Sequence, residues 1–185
     1  MKKHISILVV LIPLLTFAQE KLVKRQVNEE ISYLVPESFS QMSAGDRIQK
    51  FVSSREPLAM YSSVDREVDF GINWNPMQWM DGDEEIIYGF YKASIQSMFD
   101  EVEFLQDDIR EINGKKFIVF EFVSSLKSEN AFSGTSSSKN YSYIQYTSYN
   151  DQVLLFNLGC KARLMSQWQP VAKEMMEGVK VKEKG

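Results

Sequence analysis

The sequence predicts an α+β fold: a single twisted antiparallel sheet with helices packed on it. Two observations predict it. Short apolar or alternating stretches come in pairs joined by tight-turn signals, and two later stretches carry apolar residues at helical spacing.

The chain opens on a basic start, Met1 to His4. Residues 5–17 then form an apolar run broken only by Ser6, Pro13 and Thr16. That run is shorter than the roughly 20 residues a helix needs to cross a bilayer. Thr16 and Ala18 supply small residues at the −3 and −1 positions of a signal-peptidase site. Residues 1–18 therefore read as a signal peptide cleaved after Ala18. An uncleaved anchor is the competing reading, opposed by the short core and the charged segment behind it. With no Cys near the cleavage site, lipid attachment is excluded. The expected location is periplasmic or extracellular, with no stable membrane insertion after cleavage.

Residues 19–30 are charged and read as a frayed lead-in. The remainder, 31–185, is expected to be one domain. Residues 31–35 read as a strand stopped by Pro36. Residues 45–53 carry Ile48, Phe51 and Val52 at helical spacing, a short helix. Residues 58–62 and 67–73 read as a hairpin turning through Ser63, Val64, Asp65 and Arg66, and Val68, Phe70 and Ile72 alternate in its second strand. Residues 74–83 read as a loop. Asp81 or Asp83 then caps a helix whose stripe is Ile87, Tyr91, Ile95, Met98 and Phe99.

Asn113-Gly114, flanked by residues 104–112 and 115–123, is the strongest hairpin signal in the chain, because both residues tolerate positive φ. The strand after it is apolar on both faces and belongs inside the sheet. Residues 124–140 are serine-rich and read as a surface loop. Strands over 141–149 and 152–160 flank an Asn150-Asp151 turn. Ser166 and Gln169 match a capping box before a helix that carries Trp168, Val171, Ala172, Met175, Met176 and Val179 on one side.

Composition limits the chemistry. The chain has 185 residues, 44% hydrophobic and 25% charged, which excludes collagenous, disordered and disulfide-rich classes. Its net charge is −4, and the signal removes two lysines and no acid, so the exported chain is more acidic still. No attraction to nucleic acid is expected. The single histidine, His4, leaves with the signal. Without imidazole there is no Ser-His-Asp or Cys-His catalysis and no histidine-held zinc or haem. Cys160 is alone and cannot form an intrachain disulfide; it alternates in phase with Leu154, Phe156 and Leu158, as a small buried hydrophobe would. No cofactor and no metal are expected, and no catalytic residue is assigned.

Asp81 to Glu85 is the densest acid cluster. Counted as a calcium loop it places Ile86 and Lys92 where a Gly and an acid are required, so it reads as acids at a helix start. Two Ser-x-x-Lys matches, at Ser124 and Ser136, lack the companion motifs of penicillin-interactive enzymes. The aromatics are the most suggestive feature. Tyr141, Tyr143 and Tyr149 share one strand face, with Tyr146 on the other, and Trp74, Met77, Trp79 and Met80 crowd one loop. All of these but Tyr146 form the seven-residue candidate binding surface, since aromatics on loops mark interfaces. The alternative is that they roof the core.

The segments ISYLVPESFSQMS, LAMYSSVDREVDFGINW, IIYGFYKASIQSMF, EINGKKFIVFEF and SQWQPVAKEMMEGV follow one another in an order that resembles the PsbP-like superfamily, over about residues 31–181. That superfamily includes a photosystem extrinsic subunit and a Ran-binding import factor. The resemblance implies a PsbP-like sandwich and a binding or assembly role; no functional residue is carried over. The expectation is an exported, non-catalytic binding or accessory protein of the bacterial envelope, its partner an unknown protein or small ligand. The alternatives are a small carboxylate-based hydrolase and a secreted inhibitor or immunity-type protein acting through an aromatic loop.

Overall fold

A computed structural model describes residues 20–50, 55–80, 82–126 and 138–182. The signal-peptide reading, Phe51, Val52, Asp81 and the middle of the serine-rich stretch lie outside the described residues.

The strand that reads as apolar on both faces organises the molecule. It is β7 (Lys115–Leu126), paired with β6 (Glu101–Ile112) on one side and β8 (Ser138–Tyr149) on the other. Its side chains alternate between two cores. Phe117 and Val119 enter one, Ile118, Phe120 and Phe122 the other. Asn113 and Gly114 turn the β6–β7 hairpin with φ of 51° and 80°, and Asn150 and Asp151 turn β8 into β9 (Gln152–Lys161) with φ of 51° and 57°. Ahead of them, β4 (Ala59–Ser62) and β5 (Val68–Gln78) form the hairpin expected around residues 63–66, with Arg66 at φ 60°.

With the two-residue β3 (Ser40–Gln41), these strands make a seven-stranded antiparallel sheet in the order β3-β4-β5-β9-β8-β7-β6. Between β5 and β6, helix α2 (Glu84–Met98) crosses one face to the far edge. The chain then returns as a meander until β9 meets β5. Ile87, Tyr91 and Ile95 bury the inner stripe of α2; Met98, expected there too, is exposed. Burial of the two isoleucines alone contributes about 3–6 kcal/mol gross. On the other face lies α3 (Met165–Glu177), with Trp168, Val171, Ala172, Met175 and Met176 buried as its periodicity requires.

Several expectations are corrected. The charged lead-in is β1 (Leu22–Gln26), paired in register with β2 (Ile31–Pro36), and Lys24 and Arg25 stand exposed on it. Charge on an edge strand blocks unwanted pairing and is no sign of fraying. The last strand, β10 (Lys180–Val181), closes the other side of β2. The α+β class holds, but the single sheet becomes two: this three-stranded ribbon covers the α3 face of the main sheet through Ile31, Tyr33 and Val35.

Residues 74–78 continue β5 across a register shift, so the expected loop is largely strand. Ser124 and Ser125 are buried strand residues paired with Asn140 and Lys139, so the serine-rich loop is shorter than its composition suggests. A 3₁₀ turn, Ala162–Leu164, leads into α3, which places Ser166 inside the helix; the capping box does not form. Asp83 precedes α2 but turns its carboxylate back to accept from Met80 N. Helix α1 (Ala44–Lys50) leaves Ile48 exposed.

Candidate functional site

The seven aromatic and methionine residues do not assemble into one surface. Tyr141, Tyr143 and Tyr149 share a face of β8 as the alternation requires, but that face packs under α3 and the small sheet, and all three are buried. Trp79 is 2% exposed in the α2 core, held by its backbone N–H on Asp151 O at 3.0 Å. Trp74 and Met80 are exposed, Met77 is half-buried, and Trp74 meets the edge of Tyr149 at 6.4 Å. The physical reason is parity. Consecutive odd positions of an interior strand cannot reach solvent when that face is covered by a helix.

The sheet is open elsewhere. On the α3 side, β5, β9 and β8 are sealed by Val68, Phe70, Ile72, Leu154, Phe156, Leu158, Cys160, Tyr141 and Tyr143. On the α2 side the same strands are only half covered, because α2 packs over β6 and β7. The register sets out rows across this face. One runs Ser62, Asp69, Gly159, Ser142, Phe122, Phe104; the next runs Met60, Gly71, Asn157, Ile144, Phe120, Asp107. In the first row the aromatic end lies near α2, while at the polar, small-residue end Asp69, Gly159 and Ser142 are half-buried and Ser62 is buried. Asn73 Nδ2 donates to Asn157 Oδ1 at 3.3 Å across that floor.

Two adjoining hollows flank it. One, of about 450 Å³, is lined by Asp69, Asn140, Ser142, Asn157, Gly159 and Lys161, among others. The other, of about 440 Å³, lies between α1 and the β4–β5 turn, and the two share Lys50 and Arg66. The charged groups here are mostly paired. Lys50 Nζ sits 2.7 Å from Asp69, which also accepts from Ser62 Oγ at 2.8 Å. Arg66 meets Asp46 at 2.7 Å, and Arg163 meets Glu67. Asp46 is held below the ordinary carboxylate range, first by the Ser43 hydroxyl and then by Arg66. Among the described residues no three His, Cys, Asp or Glu side chains gather as a metal site.

A second cluster was missed from the sequence. Glu121 is buried on the α3 face of β7, at 1% exposure. Tyr141 Oη and Gln169 Nε2 donate to its Oε1, the former at 3.0 Å, and Lys173 Nζ lies 3.6 Å from Oε2. Burial, then the Glu121 charge, drives the Tyr141 phenol far above its ordinary range, so it stays a donor. The available signal was an acid inside a strand otherwise apolar on both faces. Burial, more than the nearby charges, pushes Cys160 up to about 11, which makes it a poor nucleophile.

This topology has relatives in known structures. The cyanobacterial PsbP protein of Synechocystis sp. PCC 6803 matches with TM-score 0.59 and 10% identity, over 90% of this chain and 96% of that one. The Ran-binding protein Mog1p of Saccharomyces cerevisiae matches with TM-score 0.53 and 10% identity, over 88% and 96%. LpqN of Mycobacterium tuberculosis, described as involved in cell envelope biogenesis, matches with TM-score 0.54 and 11% identity, over 88% and 91%. The chain has the PsbP-like fold. No family model and no curated protein matches its sequence. At such identities the likeness is one of architecture, and the PsbP-like fold places no functional residue here.

Proposed function

We propose that this chain is an exported, non-catalytic binding or accessory protein of the bacterial cell envelope. Its recognition surface is the open, α2-side face of β5, β9 and β8. One observation carries the reading: β5, β9 and β8 are sealed on one side and left half-bare on the other, over a floor of Asn73, Asn157, Gly159 and Ser142. A half-exposed polar floor in mid-sheet offers hydrogen-bonding groups to a partner, which packing alone does not call for. The acids bordering it, Asp69 and Glu67, are engaged by Lys50 and Arg163, an arrangement that suits recognition better than acid–base work. Export rests on the pattern of residues 1–18 and agrees with the envelope role described for LpqN. No helix among the described residues is long and apolar enough to cross a membrane.

The test is to recover the chain from its own source, sequence its mature N-terminus, and identify what it retains. Ser142→Arg, which plants a bulky cation on the bare floor, is expected to release the retained partner while the melting temperature stays unchanged. Sustained turnover of a substrate by the pure chain, lost in Asp69→Asn or Glu67→Gln, defeats the proposal in favour of a carboxylate-based hydrolase.

A further inference from the structure

Three glycines in ordinary backbone conformations differ in what a side chain would meet. At Gly71 a Cβ would fall 2.9 Å from Asn157 Oδ1, so that side chain would have to turn aside, and at Gly178 it would fall 2.4 Å from Leu34 Cδ1 and 3.2 Å from the Glu174 carbonyl oxygen, so packing constrains both. At Gly159 a Cβ would meet only the Tyr141 carbonyl oxygen, at 3.9 Å. Gly159 also sits inside β9, paired with Asp69 on one side and Ser142 on the other. Glycine weakens a strand interior, and neither packing nor a left-handed φ requires one here. What its missing side chain leaves is a dip in the floor of the 450 Å³ hollow. That volume lies within the range of small-molecule sites, about 300–1,000 Å³.

Among the described residues, the charge at this dip has one sign left over. Lys161 stands two residues along the same strand, on the same face. Its Nζ donates to Ser138 Oγ at 2.9 Å and to Asn140 Oδ1 at 3.2 Å, both neutral oxygens. The other charges lining the hollow have opposite charges beside them: Lys50 with Asp69, Arg66 with Asp46, Glu67 with Arg163. Asn140, Ser142 and Asn157 add uncharged hydrogen-bonding groups around it.

We propose that Gly159 and Lys161 form the base of a site for a small anionic solute. The body of the ligand lies on the glycine floor, close to the β9 backbone, and its anionic oxygens take the Lys161 ammonium. The inference deepens the binding-protein reading and rests on it.

The test titrates the full exported chain with sodium acetate and, separately, inorganic phosphate, against sodium chloride at equal ionic strength, following backbone amide shifts by NMR. Saturable shifts centred on Gly159, Lys161 and Ser142 are expected. Lys161→Gln should weaken them roughly tenfold, the loss of one charge-assisted hydrogen bond. Gly159→Val should abolish them, and Gly159→Ala, which melts at or above the parent temperature, should reduce them. Saturation by acetate alone assigns a carboxylate, by phosphate alone a phosphate monoester, and by both a shared anion site. Absence of saturation with either salt, or shifts that survive in Gly159→Val, overturns the proposal. A null titration beside a partner still released by Ser142→Arg removes the anion site and leaves the binding-protein reading standing.

Discussion

Glu121→Leu offers the sharpest test of how the α3 face is held. The carboxylate is buried and accepts from Tyr141 and Gln169, with Lys173 beside it. Leucine removes a buried charge, which by itself favours folding. It also strands the donors, and they differ in how easily they recover. Lys173 keeps 47% of its side chain in solvent and Gln169 is half-buried, so both can turn to water. Tyr141 has no exposure and cannot. An orphaned buried hydroxyl costs about 1–3 kcal/mol, so Glu121→Leu should destabilise by roughly 2 kcal/mol. Tyr141→Phe leaves the carboxylate one donor short and should cost about 1.5–3 kcal/mol. In the double variant nothing is left unpaired between them, and most of both losses should return. Urea unfolding of the four proteins completes the cycle, with Tm falling about 2–4 °C per kcal/mol in a chain of this size. Costs that simply add in the double variant would refute the reasoning, because the two groups would then not depend on each other.

The remaining predictions concern burial and close approach. Trp79→Ala should cost about 3–5 kcal/mol in chemical denaturation, since Trp79 is 2% exposed, while Trp74→Ala, at 43% exposure, should cost under half as much; equal losses would contradict the placement of Trp79 under α2. Gly178→Ala should destabilise by about 1–3 kcal/mol, since its methyl group falls on Leu34, measured beside a neutral or stabilising Gly159→Ala. Tyr91 and Tyr143 are pushed up to about 12 and Cys160 to about 11, in each case chiefly by burial. Groups whose folded values are raised stabilise fully below their unfolded values and lose that contribution as pH rises. Stability should therefore fall between about pH 9 and 12. Tyrosinate absorbance should appear together with the loss of circular dichroism, and at pH 8 the Cys160 thiol should react with a disulfide reagent only in denaturant.

Asn113 shows where local sequence stops and tertiary structure begins. Asn-Gly announces a hairpin because two residues tolerant of positive φ are adjacent, a property of those residues alone. That Asn113 Nδ2 also donates to Glu177 O at 2.9 Å and Val179 O at 2.8 Å, pinning the hairpin to the end of α3, depends on a segment more than sixty residues away. The same division runs through the molecule. Alternation and helical spacing determined most strands of the main sheet, the buried stripes of α2 and α3, the two-faced β7 and the burial of Cys160, because each reports one element's own periodicity, whereas β1, β3 and β10 carry too little pattern to announce themselves. Which face was covered did not follow from periodicity. Tyr141 and Tyr143 looked like a surface until α3 closed over them, on the face that also buries Glu121, and Gly159 stays half-exposed because α2 stops short of it. Strand order and helix placement decide which polar groups meet water, and those are set by contacts between distant segments, which a local pattern does not encode.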